Sequence, residues 1–223
     1  VSFTLHRHFQ TCSQIAQECF PRYAKYYKPP ENIIIQAAKL LRVYSEGMSF
    51  MYDFHAAFDY EAMLKPIESA GKKIIRTHKH EPASVSVCTN IPGFDVRCFV
   101  IDDEKNINES LVNYLLEASS KAGELMTEKL ETLFGIKFED LLDALKQFKE
   151  FNNKAFGSWV SQLPCFIFNG GKYDINLNKK HGLMNALLGD SIQFSAKKAH
   201  KYMAIATANM KLVDASNYLP PGT

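Results

Sequence analysis

The sequence has no long apolar run. Windows such as Cys165-Phe166-Ile167-Phe168 extend over only a few residues, far short of the roughly 20 that a membrane-spanning helix needs, so no membrane span is expected. It has no excess of one charge either. Lys and Arg number 26 against 24 Asp and Glu, a formal net charge of +2. That excludes a histone-like polycation and an acidic-tail protein and leaves nucleic-acid binding undecided. Repeats and low-complexity tracts are missing, and a chain 46% hydrophobic and 22% charged has a globular balance. Cysteines are few, odd in number and scattered: Cys12, Cys19, Cys88, Cys98 and Cys165. The N-terminus, Val1-Ser2-Phe3, carries neither a methionine nor a targeting pattern. The thiols therefore read as reduced groups of an intracellular, not secreted, protein. Gly-x-Ser-x-Gly, Cys-x-x-Cys and a P-loop are absent as well, so acyl transfer, thiol catalysis and P-loop phosphate binding lack support.

What is there suits one ordinary domain, at most with a small appendage: 223 residues divide by texture into four regions. Residues 1–50 form a mixed segment broken at Lys28-Pro29-Pro30. Strand-like runs follow at His55 to Leu64, Ala83 to Thr89 and Val96 to Ile101, bounded by turn signals such as Ser69-Ala70-Gly71 and Asn90-Ile91-Pro92-Gly93. From about 107 to 152 the spacing turns helical, with one stripe through Ile107, Leu111, Val112, Leu115, Leu116, Leu125, Met126, Leu130 and Leu133 and a second, after Gly135, through Phe138, Leu141, Leu142, Leu145 and Phe148. The last region has a buried strand at Cys165 to Phe168, a short helix from about Asp174, and strands near Tyr202 to Thr207 and Met210 to Asp214. This order argues for an α/β domain spanning 51–223, a mixed sheet with flanking helices, carrying a helical insertion at 107–152.

Two places could carry chemistry. In Phe58-Asp59-Tyr60-Glu61-Ala62, the two-residue period of a strand puts Asp59 and Glu61 on the same face. Such a pair is either solvated on an edge or held with a divalent cation that neutralises it. In Leu163 to Asp174, a buried strand ends at Asn169, turns through Gly170-Gly171 and enters a helix near Asp174. Ligands of open α/β sheets bind at such strand ends. Asp174 at a helix start serves equally as a cap or as a metal ligand.

Taken together, Asp59-x-Glu61 and the later Asn169-x3-Tyr173-Asp174 resemble the first two proofreading motifs of family B DNA polymerases. His80-Glu81-Pro82, Asn90-Ile91-Pro92-Gly93-Phe94, Gln162-Leu163-Pro164 and the tail Lys211-Leu212-Val213-Asp214-Ala215-Ser216-Asn217-Tyr218 narrow the resemblance to the protein-primed, organellar, viral and mobile-element branch, over roughly 50–223. The resemblance implies a ribonuclease-H-like 3′–5′ exonuclease domain, incomplete in this chain, belonging to a DNA-directed DNA polymerase, a nucleotidyltransferase. It further implies Asp59, Glu61 and Asp174 as catalytic ligands of two Mg2+ or Mn2+ ions, with Asn169 and Tyr173 holding the single-stranded 3′ end of DNA. Lys179 and Lys180 are the preferred phosphate contacts among several basic clusters, which include Lys72-Lys73, Arg76 to His80 and Lys197-Lys198. For the parent protein it implies a terminal protein primer, and a nuclear or cytoplasmic site of viral or mobile-element replication. The chain itself is expected to be a monomer.

The departures are equally concrete. A third motif, Tyr-x3-Asp, does not occur after Asp174: Ala206 stands four residues beyond Tyr202, and Gly222 four beyond Tyr218. The palm and fingers motifs are missing, so this chain is expected to lack polymerase activity and to show little exonuclease activity. Ala215 replaces the hydroxyl residue that often follows the tail aspartate, and Ala62 another that contacts DNA in many relatives. Residues 5–12, with His8 and Cys12, look like the second half of a zinc finger, but the sequence has no first cysteine pair, so zinc is not expected. Two alternatives remain: a stand-alone ribonuclease-H-like nuclease with Asp190 or Asp214 as fourth carboxylate, or a decayed mobile-element copy that only binds single strands.

Overall fold

A computed structural model describes residues 31–67, 78–101, 106–171, 173–198 and 201–218; the zinc-finger-like half and the basic run at Lys72-Lys73 lie outside these. The fold is α/β. One seven-stranded mixed sheet carries β1 (Ala56–Pro66), β2 (His78–Thr89), β3 (Arg97–Val100), β4 (Leu163–Ile167), β5 (Phe194–Lys198), β6 (Lys201–Ala206) and β7 (Met210–Asp214). Their spatial order is β3-β2-β1-β4-β7-β6-β5. The first three strands form an antiparallel meander, β1, β4 and β7 run parallel, and β7, β6 and β5 are again antiparallel.

Alternation in β1 decides which way it faces. Ala56, Phe58 and Tyr60 are buried while Asp59 and Glu61 are exposed. Val85 and Val87 on β2 stand opposite Tyr60 and Phe58, so the apolar side chains of both strands share one face. Against that face lies the first half of α2 (Ile107–Phe134), through Leu111, Leu115 and Ala118. Asn106 caps α2 by accepting the N–H groups of Asn108 and Glu109, and Gly135 ends it at φ 69°.

The helical stretch is therefore not separate from the sheet. One 28-residue helix serves two cores. Its second half, Met126, Leu130 and Phe134, joins α1 (Ile33–Leu40), α3 (Phe138–Lys146) and α4 (Asn153–Ser161) in a second apolar cluster. Trp159 packs there on Phe50 and Tyr52. Midway, the Ser119 hydroxyl lies 3.0 Å from the Ser161 carbonyl and 2.6 Å from that of Asn209, tying the helix to α4 and to the β6–β7 turn. Two short helices, α5 (Asp174–Asn178) and α6 (Leu183–Gly189), complete the sheet core through Ile175, Leu183 and Leu187. Among the described residues no helix is long and apolar enough to cross a membrane.

Candidate functional site

The site lies at the carboxyl end of β4. Ala56 and Ala57 pair with Cys165 and Phe166, and β4 then stops at Ile167. Asp59 and Glu61 thus project from the part of β1 that has outrun its parallel neighbour. Phe168 and Asn169 leave the strand, and Asn169 takes the left-handed conformation at φ 54°, which asparagine tolerates better than most residues. Its carbonyl accepts the Tyr173 N–H at 3.3 Å, closing the turn that delivers Asp174 to the first position of α5.

Of the two roles open to Asp174, capping is not the one it takes. Tyr173 occupies the N-cap place, and no side chain caps the helix. Asp174 is instead buried, 4% exposed. Burial, and after it the charges of Asp59, Asp214 and Glu61, push it up to about 6, against a hydrogen bond from its own backbone N–H. Two distant stretches of sequence thus put their acidic groups within electrostatic reach of one another.

Asp214 ends β7, in register with Ile167 at the end of β4. It is 2% exposed, and its oxygens are engaged: Oδ1 accepts from the Ser216 N–H at 3.0 Å and hydroxyl at 2.7 Å, Oδ2 from the Gly171 N–H at 3.1 Å. Lys201 Nζ stands 3.4 Å from Oδ2. Burial alone would raise this carboxyl, but the hydrogen bonds and Lys201 outweigh it and hold the group below its ordinary value. Asp190 is consumed in the same way, accepting from Thr207 Oγ1 and from the backbone N–H and side-chain amide of Asn209. Both aspartates thus already serve as hydrogen-bond acceptors within the fold.

The oxygen-only set of Asp59, Glu61 and Asp174 suits a hard divalent cation. Among the described residues, though, no three His, Cys, Asp or Glu side chains stand close enough together to share one ion. The carboxylates converge without closing on a common point.

Between the two acids in sequence, Tyr60 is buried on the other face of β1. Its hydroxyl donates to Asn108 Oδ1, and the Asn108 amide donates to the His181 carbonyl at 2.9 Å. That chain fixes β1, α2 and the α5–α6 connection as one unit; no motif in the sequence points to Asn108. Along the sheet beside Asp59 runs a groove of about 430 Å³, lined by Ala57, Ser86, Cys88, Phe166 and Phe168, with Phe168 60% exposed. Tyr173 is 40% exposed, and Lys179 and Lys180 follow α5 on the surface, the former 3.3 Å from Asn176 Oδ1. Of the other basic clusters, Lys197 and Lys198 lie on the edge strand β5, at this same end of the sheet, paired with Tyr202 and Lys201, with Lys197 over the Tyr202 ring. Comparison with protein-family models, with curated proteins and with solved structures finds no match for this chain.

Proposed function

We propose that this chain is the 3′–5′ exonuclease region of a protein-primed family B DNA polymerase, with a ribonuclease-H-like sheet that receives the single-stranded 3′ end of a primer. The observation that carries the reading is the placement of Asp59 and Glu61 on β1, an interior strand next to β4. Asp174 is returned beside them by the turn after the adjacent parallel strand. A meander of three antiparallel strands followed by parallel β4 and β7 supports the same reading, with β5 and β6 as a hairpin added outside it.

Each residue then has a task. Asp59, Glu61 and Asp174 would hold Mg2+ or Mn2+, which when bound supplies a more acidic water and counter-charge for the scissile phosphate. Asn169, exposed at the head of the turn, offers an amide to the terminal nucleotide, and the Tyr173 ring offers a face for its base. Lys179 and Lys180 meet the phosphates behind it. Burial and the neighbouring acids let Asp174 keep a proton up to about pH 6, so a bound cation would favour its ionised form. Because Asp190 and Asp214 are engaged elsewhere, three carboxylates do not complete two metal positions, and this chain binds more than it cuts.

The test is binding and digestion of a 3′-labelled oligothymidylate with and without Mn2+. Expected is salt-sensitive binding that Mn2+ strengthens in the wild type but not in Asp59→Ala, with little nucleotide release. Binding indifferent to Mn2+ and to Asp59→Ala would leave only a single-strand-binding relic. Rapid Asp59-dependent release would instead establish a self-sufficient nuclease.

A further inference from the structure

Beyond Glu61, β1 and β2 continue as a two-stranded arm, and a single extra residue in that arm changes what it presents to the site. From Thr89 back to Ser84, β2 alternates regularly: Val87 and Val85 stand opposite Phe58 and Tyr60, Ser86 and Ser84 opposite Asp59 and Glu61. The register then shifts. Glu61 pairs with Ser84 but Ala62 pairs with Pro82, so Ala83 has no partner on β1. One unpaired residue reverses the alternation of everything beyond it. His80, which an unbroken strand would place on the face of Ser84 and Ser86, comes round opposite Leu64, to the side of Tyr60.

There it meets Tyr173. His80 Nδ1 and Tyr173 Oη share a hydrogen bond of 2.6 Å, and the rings stand edge to face at 86° with centroids 5.7 Å apart. Residues on either side of His80 are engaged with each other: Lys65 and Lys79 both bind Glu81, at 2.6 and 3.2 Å. Tyr173 directly precedes Asp174. A half-exposed tyrosine side chain would otherwise sample several rotamers. A contact from a separate strand removes that freedom before any ligand arrives, which lowers the cost of binding.

We propose that His80 is a positioning residue, set by the bulge at Ala83 to hold the Tyr173 ring as the stacking platform for the terminal base of a single-stranded DNA end. The inference rests on the reading of the site given above. It is tested with the full chain and a fluorescein-labelled oligothymidylate, by anisotropy. Tyr173→Ala should weaken binding about ten-fold, the scale of one base-stacking contact. His80→Ala and Tyr173→Phe should each weaken it about three-fold. The double variant His80→Ala/Tyr173→Phe should be no weaker than either alone, because both remove the same contact. His80→Asn, which keeps a hydrogen-bonding group near the Nδ1 position, should recover most of the loss. Thermal melts of each variant report whether the fold is kept, and a purely structural histidine would give neither the non-additivity nor the rescue. Wild-type affinity in His80→Ala alongside a weakened Tyr173→Ala overturns the proposal alone, as does additivity in the double variant. Wild-type affinity in Tyr173→Ala, or no binding by the unaltered chain, overturns the reading of the site beneath it.

Discussion

The Asp214 carboxylate accepts the backbone N–H of Gly171 at 3.1 Å, joining the last residue of one parallel strand to the turn that leaves the strand beside it. The same glycine's carbonyl accepts from the Tyr202 N–H at 3.0 Å and from the Asn176 amide at 3.1 Å. Both polar groups of Gly171 are thus held by elements that follow it in the chain. The turn that carries Asn169, Tyr173 and Asp174 owes its shape to β6 and β7 as much as to its own residues.

Removing that anchor should be expensive. Asp214→Ala leaves the Gly171 N–H and the Ser216 hydroxyl without their acceptor and Lys201 without its counter-charge, a loss of about 3 kcal/mol for a buried, hydrogen-bonded carboxylate. Equilibrium urea unfolding measures it. Asp214→Asn keeps an acceptor for one of its partners and should fall between the two. Equal stability of wild type and alanine variant would show that the turn stands without β7.

Two glycines predict very different costs for the same substitution. A Cβ on Gly171 would sit 1.7 Å from the Tyr202 carbonyl oxygen and 2.9 Å from Asp214 Oδ2, so β6 must move away. Gly171→Ala should cost roughly 3 kcal/mol or more, or prevent folding. Gly135, at φ 69° in open space, meets nothing within 4 Å. Gly135→Ala should cost only the left-handed strain of about 1 kcal/mol. Parallel thermal melts decide the order.

Asp190 gives a third structural test. Its carboxylate gathers Thr207 and Asn209 in the β6–β7 turn, and the Ala208 N–H reaches its carbonyl at 2.9 Å. Asp190→Ala should destabilise the chain by about 2 kcal/mol without changing Mn2+-dependent DNA binding at temperatures where the variant is folded. A loss of Mn2+ response in folded Asp190→Ala would restore Asp190 as a ligand candidate.

The strands with one buried face were legible because burial imprints its period on the sequence. Phe58 and Tyr60 against Asp59 and Glu61 read as β1, and the Leu111-to-Leu130 spacing read as helix. β5 carries no such imprint: all of Phe194–Lys198 except Ala196 is exposed, and the strand exists by pairing with β6. The outer half of β2 was hidden for another reason. The bulge at Ala83 reverses the alternation, and Pro82 breaks the strand pattern, although both lie inside a continuous strand. In the site, Asp59, Glu61 and Asp174 were visible as residue types at suggestive spacings. The contacts of His80, Asn108 and Asp214 with the motif residues were not, because they depend on register and on which strand closes over the turn. The resemblance to family B polymerases named the acids, and the fold supplies what holds them.

The strongest electrostatic expectation concerns Asp174. Folded, its carboxyl keeps a proton up to about pH 6, against an ordinary value of 3.8, because burial and the charges of Asp59, Asp214 and Glu61 disfavour ionisation. The folded chain therefore binds more protons than the unfolded chain between about pH 4 and 6. Stability falls as pH rises through that window and stays lower above it. Asp174→Asn removes the titrating group, so it should melt several degrees higher than wild type at pH 7 and lose this part of the pH dependence. Mn2+ should act on the same penalty from the other side. At pH 7 it should raise the wild-type melting temperature by supplying the missing counter-charge, less so at pH 5, where protons compete for the oxygen ligands. Asp174→Asn should show little response at either pH. Differential scanning fluorimetry at the two pH values, with and without Mn2+, separates these effects. A wild-type melting temperature flat from pH 4 to 6 and unmoved by Mn2+ would mean that the three acids do not act on one another.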